Sequence, residues 1–496
     1  MMKKYLLFLA IAVILAGIAG IIGHGVIFAN QSGIILNTYV PCWFSGIFAF
    51  AGLCLLYLLI KPTVFLMKPF YFYTEVAFNL VYFLAVLVCL VCYAIVGDWN
   101  AFAWLIVTLV PILVSFYYLL NFRNDEKVHP EGERPGCLFQ FASIVFSMFK
   151  FFAVFFLGLL CAGAVEATIA NSFTPPSGSK TVSVLFDGAG KSANLELYCI
   201  GTTNSTLPTI FLVADSAHGI VDFYGLQYYL NSIGGTSRRV CSYDNIGFGW
   251  SQDSISGEFT DYEFFYRLLQ ASGEPQPWHV VAWGGGGSTA TAIVTNHTSS
   301  IKSVTFVEAY PPGIEFNYYG VNNSLSHQQV LDYRANQLAG RVALAQIILD
   351  MAIPWGLMSL FFPTSPQDPN YYPPDKWKEY RVQLWKSKSW ITQLQGLKYL
   401  QSANDAADPL NAYGPLPPAV PVFGVYCSVP ASCYTAKDDV VQKDYYNQQK
   451  FAMVRALSAT AVFVNNTDCD CALSLPVAKA QFTATSILSL YASINA

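Results

Sequence analysis

The sequence predicts a two-part chain: an all-α transmembrane bundle of five helices, then an α/β domain with a mostly parallel sheet and a helical cap. Two observations carry this. Apolar residues make up 54% of the 496 residues and charged residues 12%, which is apolar for a soluble protein. The shortage of charge lies at the front: residues 1–171 hold eight Lys/Arg and seven Asp/Glu, against nineteen and twenty-four in the remainder. Behind that point short β-rich runs alternate with helical stretches, the pattern of parallel strands joined by crossover helices. The domains are therefore expected at 1–171 and 172–496. The net charge of −4 offers no basic surface for nucleic acid.

Five apolar stretches are long enough to span a bilayer, which takes ~20 residues each: Tyr5–Ala29, Cys42–Ile60, Tyr71–Val96, Ala101–Leu120 and Phe141–Ala164. The first is longer than a signal-peptide core, so it reads as a retained helix. Lys3, Lys4, Lys61, Lys68, Arg123, Lys127 and Arg134 fall in the N-terminal tail and in alternate loops, whereas loops 30–41 and 97–100 carry no Lys or Arg. Positive loops stay cytoplasmic. The N-terminus is therefore expected inside, with everything after the fifth span on the extracellular or luminal side. Within that span, Lys150 is expected to snorkel to the cytoplasmic face and Glu166 to lie near the outer end.

Sequons at Asn30, Asn204, Asn296, Asn322 and Asn465 all fall on the expected outer side and are candidate glycosylation sites. The outer part holds six cysteines: Cys199, Cys241, Cys427, Cys433, Cys469 and Cys471. An even number in an oxidising compartment suggests disulfides, whose pairing the sequence does not fix.

The outer domain is read in order. A hairpin is expected at Lys180–Phe186 and Leu195–Ile200, and strands at Thr209–Ala214 and Arg239–Tyr243. Helices are expected over Tyr224–Leu230 and Phe259–Gln270. Trp278–Trp283 is the central strand, Ser303–Glu308 the next, and a helix-rich cap insertion runs over about 312–418. Val420–Tyr426 and Ala459–Val464 complete the sheet, and Val477–Tyr491 forms a closing helix. Within the cap, Ala343–Phe362 is strongly apolar. Asp350 and Pro354 argue against a sixth span, so it is expected to line a cleft or lean on the bilayer.

The central strand runs into Trp283-Gly284-Gly285-Gly286-Gly287-Ser288, a sharp strand-to-helix turn. No lysine follows the glycines as a phosphate-binding loop requires. With Cys241-Ser242-Tyr243-Asp244-Asn245-Ile246-Gly247-Phe248-Gly249-Trp250-Ser251 and Val307-Glu308-Ala309, this segment resembles the esterase- and lipase-like branch of the α/β-hydrolase superfamily, whose corresponding run reads C-x-Y-D-R-x-G-x-G-W-S. The resemblance covers about 180–496.

The resemblance implies an active site that these residues do not supply. Gly284 stands where the nucleophilic serine of G-x-S-x-G belongs. Ser288 lies one helical turn, roughly 6 Å, further on. The histidine position corresponds to Cys469, in Asp468-Cys469-Asp470-Cys471, which reads as a disulfide partner of Cys427 or Cys433 rather than a metal site. No histidine follows His327. His218 and Gly219 sit in the oxyanion loop with Asp215 and Ser216, but Asp215 puts a carboxylate where anion-stabilising donors belong. Glu308, Asp438 and Asp439 are candidate acids with nothing to orient.

The expectation is a pseudoenzyme without cofactor or metal. Its ligand cleft is formed by Asp215, Ser216, Trp283, Gly284, Gly285 and Gly286. Its expected partners are the lipid bilayer, a lipid-like or carboxylate small molecule, and a membrane-protein partner. An active esterase or lipase using Ser288, Glu308 and His218 is the first alternative. A transporter or channel subunit is the second.

Overall fold

The computed structural model describes residues 2–30, 40–60, 69–96, 99–124, 137–185, 192–203, 206–214, 218–233, 238–253, 263–309, 326–361, 376–402, 415–427, 448, 451–466 and 479–494. The chain divides into two compact units. The first joins Met1–Phe173 with Ile347–Phe362 and Trp385–Ser387; the second holds the rest.

The first unit contains α1 (Met2–Asn30), α2 (Val40–Ile60), α3 (Pro69–Val96), α4 (Trp99–Asn124) and α5 (Cys137–Ser172). All five are long and apolar enough to cross a membrane, as the sequence predicts. Their large apolar side chains point outward as well as inward: Phe8 and Phe151 are exposed on the helix surfaces. Helices apolar all round suit hydrocarbon surroundings. Inside, Phe44, Tyr82, Val86, Leu105 and Leu157 form a shared core. Gly17 lets α1 and α2 close together, since an added Cβ would sit 2.6 Å from that of Ala49.

Lys150 does not snorkel. It is buried on α5 and ion-paired with Glu75 of α3, beneath the rings of Tyr57, Phe78 and Phe146. A partner of opposite charge within reach makes an interior position cheaper than a strained path to the surface.

The second unit is built on an eight-stranded sheet in the order β1-β2-β4-β3-β5-β6-β7-β8. Its strands are β1 (Ser179–Leu185), β2 (Ser192–Ile200), β3 (Ile210–Val213), β4 (Val240–Tyr243), β5 (Trp278–Trp283), β6 (Ile301–Val307), β7 (Val422–Cys427) and β8 (Val462–Asn466). Only β2 runs antiparallel to both of its neighbours; from β4 across to β8 every pair is parallel.

Every residue of β3, β4 and β5 is buried. This is the burial expected of central parallel strands covered on both faces. One face packs on α7 (Glu263–Ala271), α8 (Gly286–Asn296) and the helical residues 451–457. The other packs on α6 (Ile220–Ser232) and α13 (Ala480–Ala492). Between β6 and β7 lie α9 (His327–Ile347), α10 (Met358–Phe361), α11 (Trp377–Trp385) and α12 (Ser387–Ser402).

Cys199 and Cys241, opposite each other on β2 and β4, form a disulfide. The pairing of Cys469 or Cys471 with Cys427 or Cys433 lies outside the described residues. So do Asn204 and Asn322. Asn30 ends α1, while Asn296 and Asn465 are exposed.

Candidate functional site

The site is the turn at the C-terminal end of β5. Gly284 takes φ +56°, a left-handed conformation that favours glycine, and its N–H donates to the carbonyl of Val307 at 3.3 Å. The next glycines serve a different purpose. A Cβ on Gly286 would lie 2.6 Å from the carbonyl oxygen of Val213, and one on Gly287 would lie 2.9 Å from Cβ of Ala309. The glycine run thus lets α8 start directly against the ends of β3 and β6. Gly285 is exposed and Gly284 half-buried at the mouth of the turn. The turn has elbow geometry and offers no nucleophilic side chain at its apex.

Ser288 follows one turn into α8 and is half-buried. Two of the domain's histidines are engaged elsewhere. His279 is a buried residue of β5, its Nδ1 at 2.6 Å from Ser303 Oγ and its ring stacked on Tyr491 of α13. Burial, with the nearby charges of Arg238 and Lys302, pushes its pKa down to about 3. His297 contacts Glu263 at 2.7 Å and stacks on Tyr266. His218 alone of these three stands beside the elbow: its ring centroid is 4.6 Å from that of Trp283, and its Nδ1 is 3.4 Å from Asp222 Oδ1. The side chain of His327, in α9, lies outside the description.

Asp222 is committed to the backbone as well. Three residues after Gly219, its Oδ2 accepts the Gly219 N–H at 2.8 Å, the reach-back half of a capping box. Asp244 is the stronger clamp. Fully buried, it accepts the N–H of Ile220 on one oxygen and that of Trp250 on the other, both at 2.8 Å. Gly219 and Gly249 leave room for its carboxylate, since a Cβ on either would lie 2.1 Å from a carboxylate oxygen. The D-x-x-G-x-G-W-S segment is therefore a structural brace that fixes the start of α6. The sequence displayed the motif without disclosing this role.

Glu308 ends β6 with φ +47°, almost fully buried, its N–H donating to the Val425 carbonyl at 3.1 Å. Burial and this neighbouring carboxylate hold the Tyr426 phenol well above its usual pKa. The cap is tied down by polar contacts absent from the sequence reading. Tyr224 on α6 donates to Glu379 on α11 at 2.5 Å, with Lys376 paired to Glu379 and lying over the Tyr224 ring. Lys388 and Thr392 on α12 donate to the carbonyls of Ser251 and Gly247.

Trp283, Gly284, Gly285, Gly286, Ser288, Glu308 and His218 are thus all placed at or near the C-terminal ends of the central strands. Asp215, Ser216, Cys469, Asp438 and Asp439 lie outside the described residues.

Sheet order, elbow and cap position define an α/β-hydrolase architecture, and residues 213–445 match the family model described as alpha/beta hydrolase fold. The C-terminal part of this chain is an α/β-hydrolase-fold domain, carried behind five apolar helices. Among solved structures it is similar to a thermophilic esterase from Thermogutta terrifontis (13% identity, 64% of this chain and 100% of that one, TM-score 0.42). It is similar to the enol-lactonase from Burkholderia xenovorans LB400 (14% identity, 62% and 99%, TM-score 0.39). It is also similar to a hydrolase from Pseudomonas aeruginosa (15% identity, 64% and 99%, TM-score 0.41). No curated protein matches the chain in sequence.

Proposed function

We propose that the protein is a membrane-anchored α/β-hydrolase-fold pseudoenzyme that binds a ligand or partner on the extracellular or luminal side. The observation that carries this is Gly284, which holds the left-handed apex of the elbow with no side chain to form an acyl-enzyme. The lack of any histidine after His327 adds to it, because that is where the family resemblance expects the general base. The ligand class in view is lipid-like or carboxylate-bearing, since α8 starts at the elbow and points the positive end of its dipole there, which favours an anion. Outer placement draws on the alternation of Lys/Arg loops, the five sequons and the Cys199–Cys241 disulfide.

The His218–Asp222 pair beside Trp283 is the feature a working esterase would use, with Ser288 as nucleophile. A fluorophosphonate probe on the full chain separates the two readings. The pseudoenzyme is expected to remain unlabelled. Covalent labelling of the wild type, lost in Ser288→Ala, would establish the esterase. On the same cell-expressed material, a glycosidase is expected to increase gel mobility. Unchanged mobility would remove the support that the sequons give to outer placement.

A further inference from the structure

The cap insertion leaves the hydrolase-fold unit at Ile347, belongs to the helical unit through Phe362, and then returns. Within the helical unit it is tightly fitted. Trp43 of α2 donates its Nε1–H to the Asp350 carbonyl at 2.9 Å, and Trp355 packs on both Trp43 and Phe156 at ring separations of 5.1 and 5.5 Å. Two glycines make the approach possible. Gly163 of α5 lies so close to Pro354 that a Cβ would fall 2.0 Å from its carbonyl oxygen. Gly356, at φ +67°, sits against the backbone of Ala162 and Gly163. Ser359 donates its N–H to Glu166 Oε1 at 3.1 Å.

The segment is not a span. Ile348–Ala352 is a π-turn and α10 only four residues long. Its fourteen residues from Ile348 to Phe361 would cover roughly 20 Å even as a continuous helix, short of the ~30 Å of a bilayer core. The strands before and after the insertion, β6 and β7, are hydrogen-bonded neighbours in one sheet, and a single crossing of the bilayer between them would split that sheet. Much of its irregular backbone is nevertheless satisfied. Ile353, Trp355 and Leu357 donate to Ile348, Met351 and Ala352 at 2.8–2.9 Å, and Asp350 and Ser359 are served by α2 and α5. Irregular backbone survives at membrane depth only under such conditions.

Its other face is bare and apolar. Ile347, Met351 and Leu360 are 54%, 38% and 77% exposed. This surface continues the apolar exterior of α5, where Val165 and Ile169 flank Glu166 and are also exposed. We propose that Ile347–Phe361 is a re-entrant membrane insertion of the cap, with Ile347, Met351 and Leu360 seated among phospholipid acyl chains. The bilayer is the occupant because the surface is continuous with helices that are themselves apolar all round; the proposal rests on those helices crossing a bilayer.

The test uses the full chain in phosphatidylcholine vesicles, with an environment-sensitive fluorophore on Ile347→Cys, Met351→Cys or Leu360→Cys and the unsubstituted protein as background. Phe152→Cys on α5 and Tyr228→Cys on α6 are the controls, both outward-facing. Spin-labelled phosphatidylcholine is expected to quench the three insertion sites as it quenches Phe152→Cys, with protection from aqueous iodide. Tyr228→Cys is expected to show the reverse. Iodide quenching of the insertion sites, with Phe152→Cys still quenched by lipid, would overturn the proposal alone. Iodide quenching at Phe152→Cys would overturn the spanning reading and the proposal with it.

Discussion

Asp244 and His279 show how single buried groups hold the hydrolase-fold unit together. Asp244→Ala removes the acceptor for two backbone N–H groups, those of Ile220 and Trp250. Leaving buried donors unpaired costs ~1–3 kcal/mol each, so the variant is expected to lose about 3 kcal/mol. Limited proteolysis of the full chain in denaturant measures this. His279 supplies a pH dependence. Its folded pKa is down at about 3, while the unfolded side chain titrates near 6.5. Between those values the unfolded chain binds the extra proton, so stability falls as pH drops from 6.5 toward 3. Melting curves across pH 7 to 4 are expected to shift less in His279→Gln than in wild type. The glycine run was legible because φ demands glycine at 284 and close approach demands it at 286 and 287. The Asp244 clamp was not, since its partners are backbone atoms supplied by other loops.

At the scale of elements, β5 occupies Trp278–Trp283 as the sequence indicates, because a run that is apolar except for His279 and is bounded by Pro277 and Gly284 leaves little freedom. The five apolar helices were legible from length and composition alone. What joins them was not: Glu75 and Lys150 are 75 positions apart, and no local pattern links them. Glu75→Gln leaves Lys150 buried without its counter-charge. Breaking such a pair typically costs ~3–5 kcal/mol. A lower melting temperature in detergent is expected, largely recovered in the double variant Glu75→Gln/Lys150→Met. The opposite result, a double variant worse than the single, would show that the lysine is needed for its own sake. The apolar stretch at 343–362 was visible as an anomaly, but what it packs against comes from distant partners: Gly163, Phe156 and Glu166 on α5 and Trp43 on α2.

For the whole molecule, the mostly parallel sheet follows from alternating strands and helices, and the proposed loss of catalysis rests on what the elbow lacks. In the sequence, Gly284, the Cys469 position and the carboxylate at Asp215 point together to abandoned catalysis, and the left-handed φ at Gly284 gives that residue its weight. Restoring one group should therefore restore nothing. The most direct measurement is p-nitrophenyl ester hydrolysis by the purified full chain, wild type beside Gly284→Ser. Both are expected to remain at the uncatalysed rate, because the position where the resemblance puts the base holds no histidine. Turnover by the wild type that Ser288→Ala abolishes, or turnover gained by Gly284→Ser, would contradict this expectation.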